Sequence, residues 1–200
     1  MIAGVFIGGA AKRMGERAKG LLEAPGGGTL VDRWLSVLHE AGVARVLLVG
    51  SHPAYGALGL ETIADEPSGV GPIGGLAALL RRAGPSRALA LACDMPFVSA
   101  RLVERLVAAP EAPVVAPWRD GRWEPLCARY DAARVLPCVL RRIAARQYAL
   151  QLLLAEAGAA PLPLEPRDEP ELRDWDTPED VQSTGAAGHG PDPPRGPVAK

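Results

Sequence analysis

The residues best suited to chemistry stand near the start of the chain, in Gly8-Gly9-Ala10-Ala11-Lys12-Arg13-Met14-Gly15-Glu16-Arg17-Ala18-Lys19. An apolar stretch, Ile2 to Ile7, runs into two glycines and then into the cations Lys12, Arg13, Arg17 and Lys19. Paired glycines let a backbone take φ > 0 and approach another molecule closely. Successive backbone N–H groups with cations behind them suit an anion such as a phosphate. Lysine occurs only at Lys12, Lys19 and Lys200, every other cation being arginine, so two of three lysines sit in this one segment. The segment is not a P-loop, because Gly15 is followed by Glu16 where G-x-x-x-x-G-K-[ST] requires lysine. A solvated basic loop beside a strand would have the same composition.

The carboxylates offer a second chemistry. Asp94 closes the apolar run Ala88 to Cys93 and precedes Met95-Pro96; Asp65 stands at another predicted strand end. A carboxylate there is a hard oxygen ligand for Mg²⁺ that also binds substrate phosphates, or a turn cap. Asp174-Trp175-Asp176-Thr177-Pro178-Glu179-Asp180 reads as a helix start, with Asp176 or Thr177 as cap. Asp174 joins a metal site only if the fold returns it to Asp94. Gly69-Val70-Gly71-Pro72-Ile73-Gly74 matches G-x-G-x-x-G, with Asp94 twenty residues beyond Gly74. That is the form of the dinucleotide fingerprint. Here, however, polar Asp65-Glu66-Pro67-Ser68 separates the glycines from any preceding strand. His39, His52 and His189 have no catalytic partner in the sequence.

These residues need a frame, and the sequence supplies an alternating one. After the opening strand, Thr29 caps a predicted helix with Leu30, Trp34, Val37, Leu38 and Ala41 on one face and Gly42 as its stop. Arg45 to Val49 and Glu61 to Ile63 read as strands, and Pro72 opens a helix through Leu76, Leu79 and Leu80. Ala88 to Cys93 reads as a strand covered on both faces. Ser99 caps a helix through Leu102 and Leu106, and Val114-Val115 follows as another strand. Alternation with short connections predicts a mainly parallel sheet wrapped by helices. Ligands bind such sheets beyond the carboxyl ends of the strands. At those ends stand the Gly8 loop, Gly50-Ser51-His52, Ala64-Asp65-Glu66 and Asp94-Met95-Pro96. Farther on, Trp118 to Trp123 reads as a hairpin turning at Asp120-Gly121, with helical patterns over Val135 to Ile143 and Tyr148 to Leu154.

Composition bounds the alternatives. The 200 residues are 48% hydrophobic and 22% charged with a net charge of −1, which fits one globular domain and no general affinity for nucleic acid. No stretch is apolar for the ~18 residues a membrane span needs. The opening apolar run is short and lacks a basic leader. Cys93, Cys127 and Cys138 show no C-x-x-C spacing, which argues against disulfides or zinc and fits a cytoplasmic location. A domain over 1–184 is expected, followed by a disordered Gly/Pro-rich tail over 185–200.

Four elements, in order, resemble the molybdenum cofactor guanylyltransferases. The family's L-A-G-G-x-x-x-R-M-G-x-x-x-K stands here as Phe6-Ile7-Gly8-Gly9 through Arg13-Met14-Gly15 to Lys19. Gly71-Pro72-Ile73-Gly74-Gly75 is similar to its G-P-L-x-G, Cys93-Asp94-Met95-Pro96 to its C-D-x-P, and Asp176-Thr177-Pro178-Glu179-Asp180 to its N-T-P-E-[DE]. The resemblance implies an α/β, three-layer Rossmann-like nucleotidyltransferase fold with a mainly parallel central sheet. It implies transfer of GMP from GTP to the terminal phosphate of molybdopterin, with release of pyrophosphate. By the same resemblance Arg13, Lys19 and Asp94 are catalytic and Asp94 holds Mg²⁺. The resemblance also implies that Phe6, Ile7, Gly8, Gly9, Lys19, Asp65 and Asp94 bind nucleotide, with molybdenum-insertion proteins or apoenzymes as transient partners. Three departures bear on base choice: Phe6-Ile7 replaces Leu-Ala, Gly50 stands where the family has Asn, and Asp176 replaces Asn. A relative using CTP or another phosphorylated acceptor, and a non-catalytic nucleotide- or molybdopterin-binding module, are the alternatives.

Overall fold

A computed structural model describes residues 1–8, 18–175 and 179–181. Gly9, Arg13, Asp176 and the tail over 185–200 lie outside the described residues. The order is β1 (Ile2–Phe6), α1 (Leu30–Glu40), β2 (Val46–Val49), β3 (Thr62–Ile63), α2 (Pro72–Ala83), β4 (Arg87–Ala92), α3 (Ala100–Ala108), β5 (Val114–Arg119), β6 (Arg122–Trp123), β7 (Cys127–Asp131), α4 (Ala132–Ala144), α5 (Leu150–Glu156) and β8 (Ala160–Leu162).

Local chemistry explains the ends of these elements. Thr29 and Asp32 form a reciprocal capping box at the start of α1. Ser99 caps α3 and Asp131 caps α4 through their side-chain oxygens. Pro72 occupies the first position of α2, where its missing N–H costs nothing.

The strands form one sheet in the order β3-β2-β1-β4-β7-β5-β6, with β8 beside β5. The pairs β1–β2, β1–β4, β2–β3 and β5–β8 are parallel, whereas β7 runs antiparallel to both β4 and β5. The sheet is therefore mainly parallel. On one face α2, α4 and α5 bury Ile73, Leu79, Val139 and Leu153 against it. On the other, α1 and α3 bury Trp34, Leu38, Leu102 and Leu106. The result is a three-layer α/β structure in which β1 and β4 are covered on both sides.

Two strands exceed the sequence expectation. β7 enters between β4 and β5 although it carries Arg129, 1% exposed. Its guanidinium donates to the carbonyls of Val107, Ala109 and Pro110, just past the end of α3. A buried cation is tolerable when its donors are satisfied in this way. β8 is a short edge strand. The dinucleotide fingerprint fails structurally, because Ala64 through Gly71 intervene between β3 and α2.

Candidate active site

The parallel register aligns the carboxyl ends of three strands: Phe6 lies opposite Val49 on one side and Ala92 on the other. The backbone continues the pairing outward, with Ile7 N–H bonded to Val49 O and Cys93 N–H to Phe6 O. Phe6, Ile7, Gly8, Gly50 and Asp94 therefore gather at one edge. Gly8 is exposed there, while Phe6 and Ile7 are buried. Trp34 donates from its ring N–H to Ala92 O (3.1 Å), which fixes the end of β4 just before Asp94.

Asp94 and Lys19 meet, 75 residues apart in sequence: Lys19 Nζ lies 2.9 Å from Asp94 Oδ2 and 3.0 Å from Trp175 O. Their side chains keep 20% and 22% of their surface exposed, so the pair sits at the mouth of the edge and not in the core. The third member, Trp175, is held by its own N–H, which donates to Asp94 O at 2.8 Å. Its indole packs edge-on against Phe97 and is buried with Ala24 and Leu30.

Lys19 owes its place to the residue after it. It begins a 3₁₀ turn, Lys19–Leu21, and the Gly20 N–H donates to the hydroxyl of buried Tyr55 at 2.9 Å. A Cβ on Gly20 would lie 2.9 Å from both that hydroxyl and Val31 Cγ2, so glycine is the residue that fits. Burial pushes the Tyr55 phenol up to about 12, which keeps it a neutral partner across physiological pH. His52 accepts from the Ala54 N–H at 3.2 Å and packs edge-on against the Tyr55 ring, a capping role and not a catalytic one.

Asp65 lies over the first turn of α2. A Cβ on Gly75 would come within 2.9 Å of Asp65 Oδ1, 2.8 Å of Val49 Cγ1 and 3.0 Å of Phe6 Cε1. The bare glycine thus lets α2, the Asp65 loop and the end of β1 close on one another. Burial raises the Asp65 carboxyl above its ordinary value. Gly50 is constrained more severely. Its φ is +121°, and a Cβ there would meet Gly8 N at 2.9 Å and Gly8 Cα at 3.1 Å. The missing Asn side chain is therefore more than a lost contact, because two strand-end loops pack backbone to backbone where it would stand.

Cys93, the residue before Asp94, is held as a thiol: burial, with the charge of Asp94, pushes it up to about 12. Of the expected residues, the structure brings together Phe6, Ile7, Gly8, Lys19 and Asp94, with Asp65 beside them. It adds Tyr55 and the Trp175 backbone. Asp174 is returned to the neighbourhood of Asp94 by the Trp175 bond.

A three-layer α/β fold with Gly8, Lys19 and Asp94 at the carboxyl edge of its sheet is the arrangement of a nucleotide-transferring class of domain. Residues 3–157 match the family model described as the MobA-like NTP transferase domain, and the chain belongs to that family. It is 34% identical over 130 residues to the molybdenum cofactor guanylyltransferase of Xanthomonas euvesicatoria, covering 64% of each chain. It is 36% identical over 129 residues to a probable molybdenum cofactor guanylyltransferase of Pelotomaculum thermopropionicum, covering 64% of this chain and 62% of that one. The match thus spans less than two thirds of either relative. Among solved structures, molybdopterin-guanine dinucleotide biosynthesis protein A of Archaeoglobus fulgidus superposes with a TM-score of 0.75 at 24% identity, over 94% of this chain and 98% of that one. The 2-C-methyl-D-erythritol 4-phosphate cytidylyltransferase of Thermus thermophilus follows at 0.66 and 21%, over 93% and 98%. These two establish the fold.

Proposed function

We propose that the protein is a molybdenum cofactor guanylyltransferase, transferring GMP from GTP to the terminal phosphate of molybdopterin. The observation that carries this reading is the Lys19–Asp94–Trp175 cluster at the edge where β1 and β4 end. In the reaction an oxygen of the molybdopterin phosphate attacks the α-phosphorus of GTP, the bond to the bridging oxygen breaks, and pyrophosphate leaves. The acceptor supplies the nucleophile, which agrees with the protonated, buried state of Cys93.

Each residue has a task that its position supports. The backbone at Gly8, with Gly9 beyond it, receives the phosphates, and Phe6 and Ile7 hold that loop to the sheet. Lys19, with Arg13, offsets the charge that builds on the phosphoryl oxygens during attack. Asp94 fits a hard divalent cation, Mg²⁺ by its liking for one or two carboxylates plus substrate phosphates. A carboxylate offers about four lone-pair sites, so the Lys19 contact at Oδ2 leaves donor capacity for the ion. Bound there, the cation would supply charge neutralisation to the leaving pyrophosphate. Asp65, at the end of β3, lines the nucleotide side.

The deciding experiment is competition between GTP and CTP for molybdopterin in the presence of Mg²⁺, read as the ratio of dinucleotide products with pyrophosphate release as the clock. A guanine dinucleotide excess is expected. A product dominated by the cytosine dinucleotide would overturn the base assignment, and nucleotide binding without pyrophosphate release would reduce the protein to a binding module. The location follows from the substrates, a cytoplasmic one, where GTP is made and used. Among the described residues no helix is long and apolar enough to cross a membrane.

A further inference from the structure

A pair of tryptophans stands outside everything described so far. Trp118 on β5 and Trp123 on β6 face each other in register across the hairpin, with ring centroids 4.6 Å apart and planes at 64°. Trp118 is 45% exposed, an unusual position for the largest apolar side chain. The hairpin that carries it is well held. Its turn uses Asp120 and Gly121, both at positive φ, as a tight two-residue turn requires. Gln151 of α5 clamps the Trp123 backbone from both sides: its amide donates to Trp123 O at 2.8 Å and its oxygen accepts from Trp123 N–H at 2.9 Å. The Glu124 N–H closes the base of the hairpin on Pro117 O. An aromatic surface is thus exposed on a rigid mount, and such surfaces are suited to stacking flat rings.

Its location says which ring. β5 runs in the same direction as β1 and β4, so Trp118 lies at the carboxyl edge of the sheet that holds Lys19 and Asp94. The next residue, Arg119, donates to Leu172 O at 2.9 Å. From Leu172 the chain runs to Trp175, the residue bonded to both Lys19 and Asp94. β5 lies two strands from β4, about 10 Å across the sheet, so the hairpin and the strand end that leads to Asp94 stand within a single small molecule's length.

We infer that the Trp118–Trp123 hairpin is the acceptor platform, stacking the flat pterin ring of molybdopterin while its phosphate points to Lys19 and Asp94. The inference rests on the guanylyl-transfer reading and adds to it the place of the second substrate. A ring stacked at the far end of the acceptor orients the attacking phosphate without contacting the nucleotide, so acceptor and donor recognition become separable.

The test uses the full chain, with anaerobically prepared molybdopterin as the probe. Trp118→Leu is expected to raise the KM for molybdopterin about 5- to 150-fold, the scale of losing one ring stack, while the KM for GTP and the melting temperature stay unchanged. Trp118→Phe, which keeps a ring, should recover most of the loss. Molybdopterin should quench wild-type tryptophan fluorescence and do so less in Trp118→Leu. If the wild type makes the dinucleotide and Trp118→Leu keeps its KM for molybdopterin, the platform is wrong and the guanylyl-transfer reading survives. An equal rise in both KM values would also overturn it, marking a role in the fold or on the nucleotide side. A wild type that makes no dinucleotide removes the parent reading, and the ligand assignment falls with it.

Discussion

Lys19 and Asp94 make opposite contributions to one site, and their substitutions should differ from those of their neighbours. Lys19→Met removes a placed ammonium and should lower turnover by roughly 10²–10³-fold, the scale for deleting one preorganised charge stabiliser. Asp94→Asn should abolish transfer and leave the fold intact, since its carboxylate lies at the mouth of the site and not in the core. Lys12→Met, at a variable position of the pattern, should cost far less; equal losses at Lys12 and Lys19 would indicate diffuse attraction of the nucleotide. Gly50→Asn is the sharper test. Restoring the family's residue should harm this protein, because φ is +121° and a Cβ would press on Gly8 N. The strain is worth about 1–3 kcal/mol, read as a lower urea midpoint together with weaker GTP binding. Tighter GTP binding in that variant would mean that the loop yields and the asparagine contact is recoverable. The sequence showed the residue type at position 50 and hid its meaning, since no pattern of letters reports the approach of two backbones. Asp94 was readable as a carboxylate at a strand end, and Lys19 was singled out from Lys12 by the family resemblance. Tyr55 was not, because a buried tyrosine in a short 3₁₀ helix carries no signal of the N–H it holds.

At the level of elements, the helices and parallel strands were readable because caps and apolar periodicity agree locally: Thr29, Ser99 and Pro72 each start the helix expected of them. β7 was missed because its most telling residue, Arg129, looks like surface and is buried through backbone carbonyls at the end of α3. The 3₁₀ turn at Lys19–Leu21 carries the lysine proposed to act in transfer. The bond from Gly20 N–H to Tyr55 Oη anchors its backbone in the core, away from solvent. Tyr55→Phe keeps the ring and deletes the acceptor, leaving a buried N–H without a partner at a cost of about 1–3 kcal/mol. The expected outcome is a lower melting temperature with a fall in kcat larger than any rise in the KM for GTP, because Lys19 is loosened while the Gly8 loop stays on the sheet. An unchanged kcat in a destabilised variant would show that the turn holds itself and that Tyr55 serves packing alone.

The whole molecule is closed by its C-terminal return, which brings Trp175 back to a site built from the first half of the chain. That return is fastened by Asp168, fully buried, which accepts from Arg101 and Arg105 of α3 and from the Glu165 N–H at 2.7 Å. Glu171 reinforces the clasp, accepting from the Ser99 hydroxyl and lying 3.0 Å from Arg101. Burial alone would raise the Asp168 carboxyl. The Glu165 N–H and the two guanidinium groups outweigh it and hold the carboxyl down at about 2. Because the folded value lies below the unfolded one, the stabilisation is fully present above about pH 4 and is lost as pH falls through about 2. A depression of this size corresponds to about 2 kcal/mol. Asp168→Asn keeps the shape and removes the charge, leaving Arg101 to Glu171 and Glu165, and Arg105 to Glu165. Its expected cost at neutral pH is about 2 kcal/mol, the stabilisation that the lowered carboxyl represents. Urea unfolding followed from neutral pH down into that acid window should show the wild type losing stability steeply and the variant losing less. Turnover of the variant at neutral pH should also fall, since the strap from Leu172 to Trp175 is what supplies Lys19 with its backbone acceptor. Wild type and variant with the same acid slope would mean that other carboxylates carry the pH dependence. A variant with full turnover would mean that Trp175 stays on Asp94 without the clasp behind it.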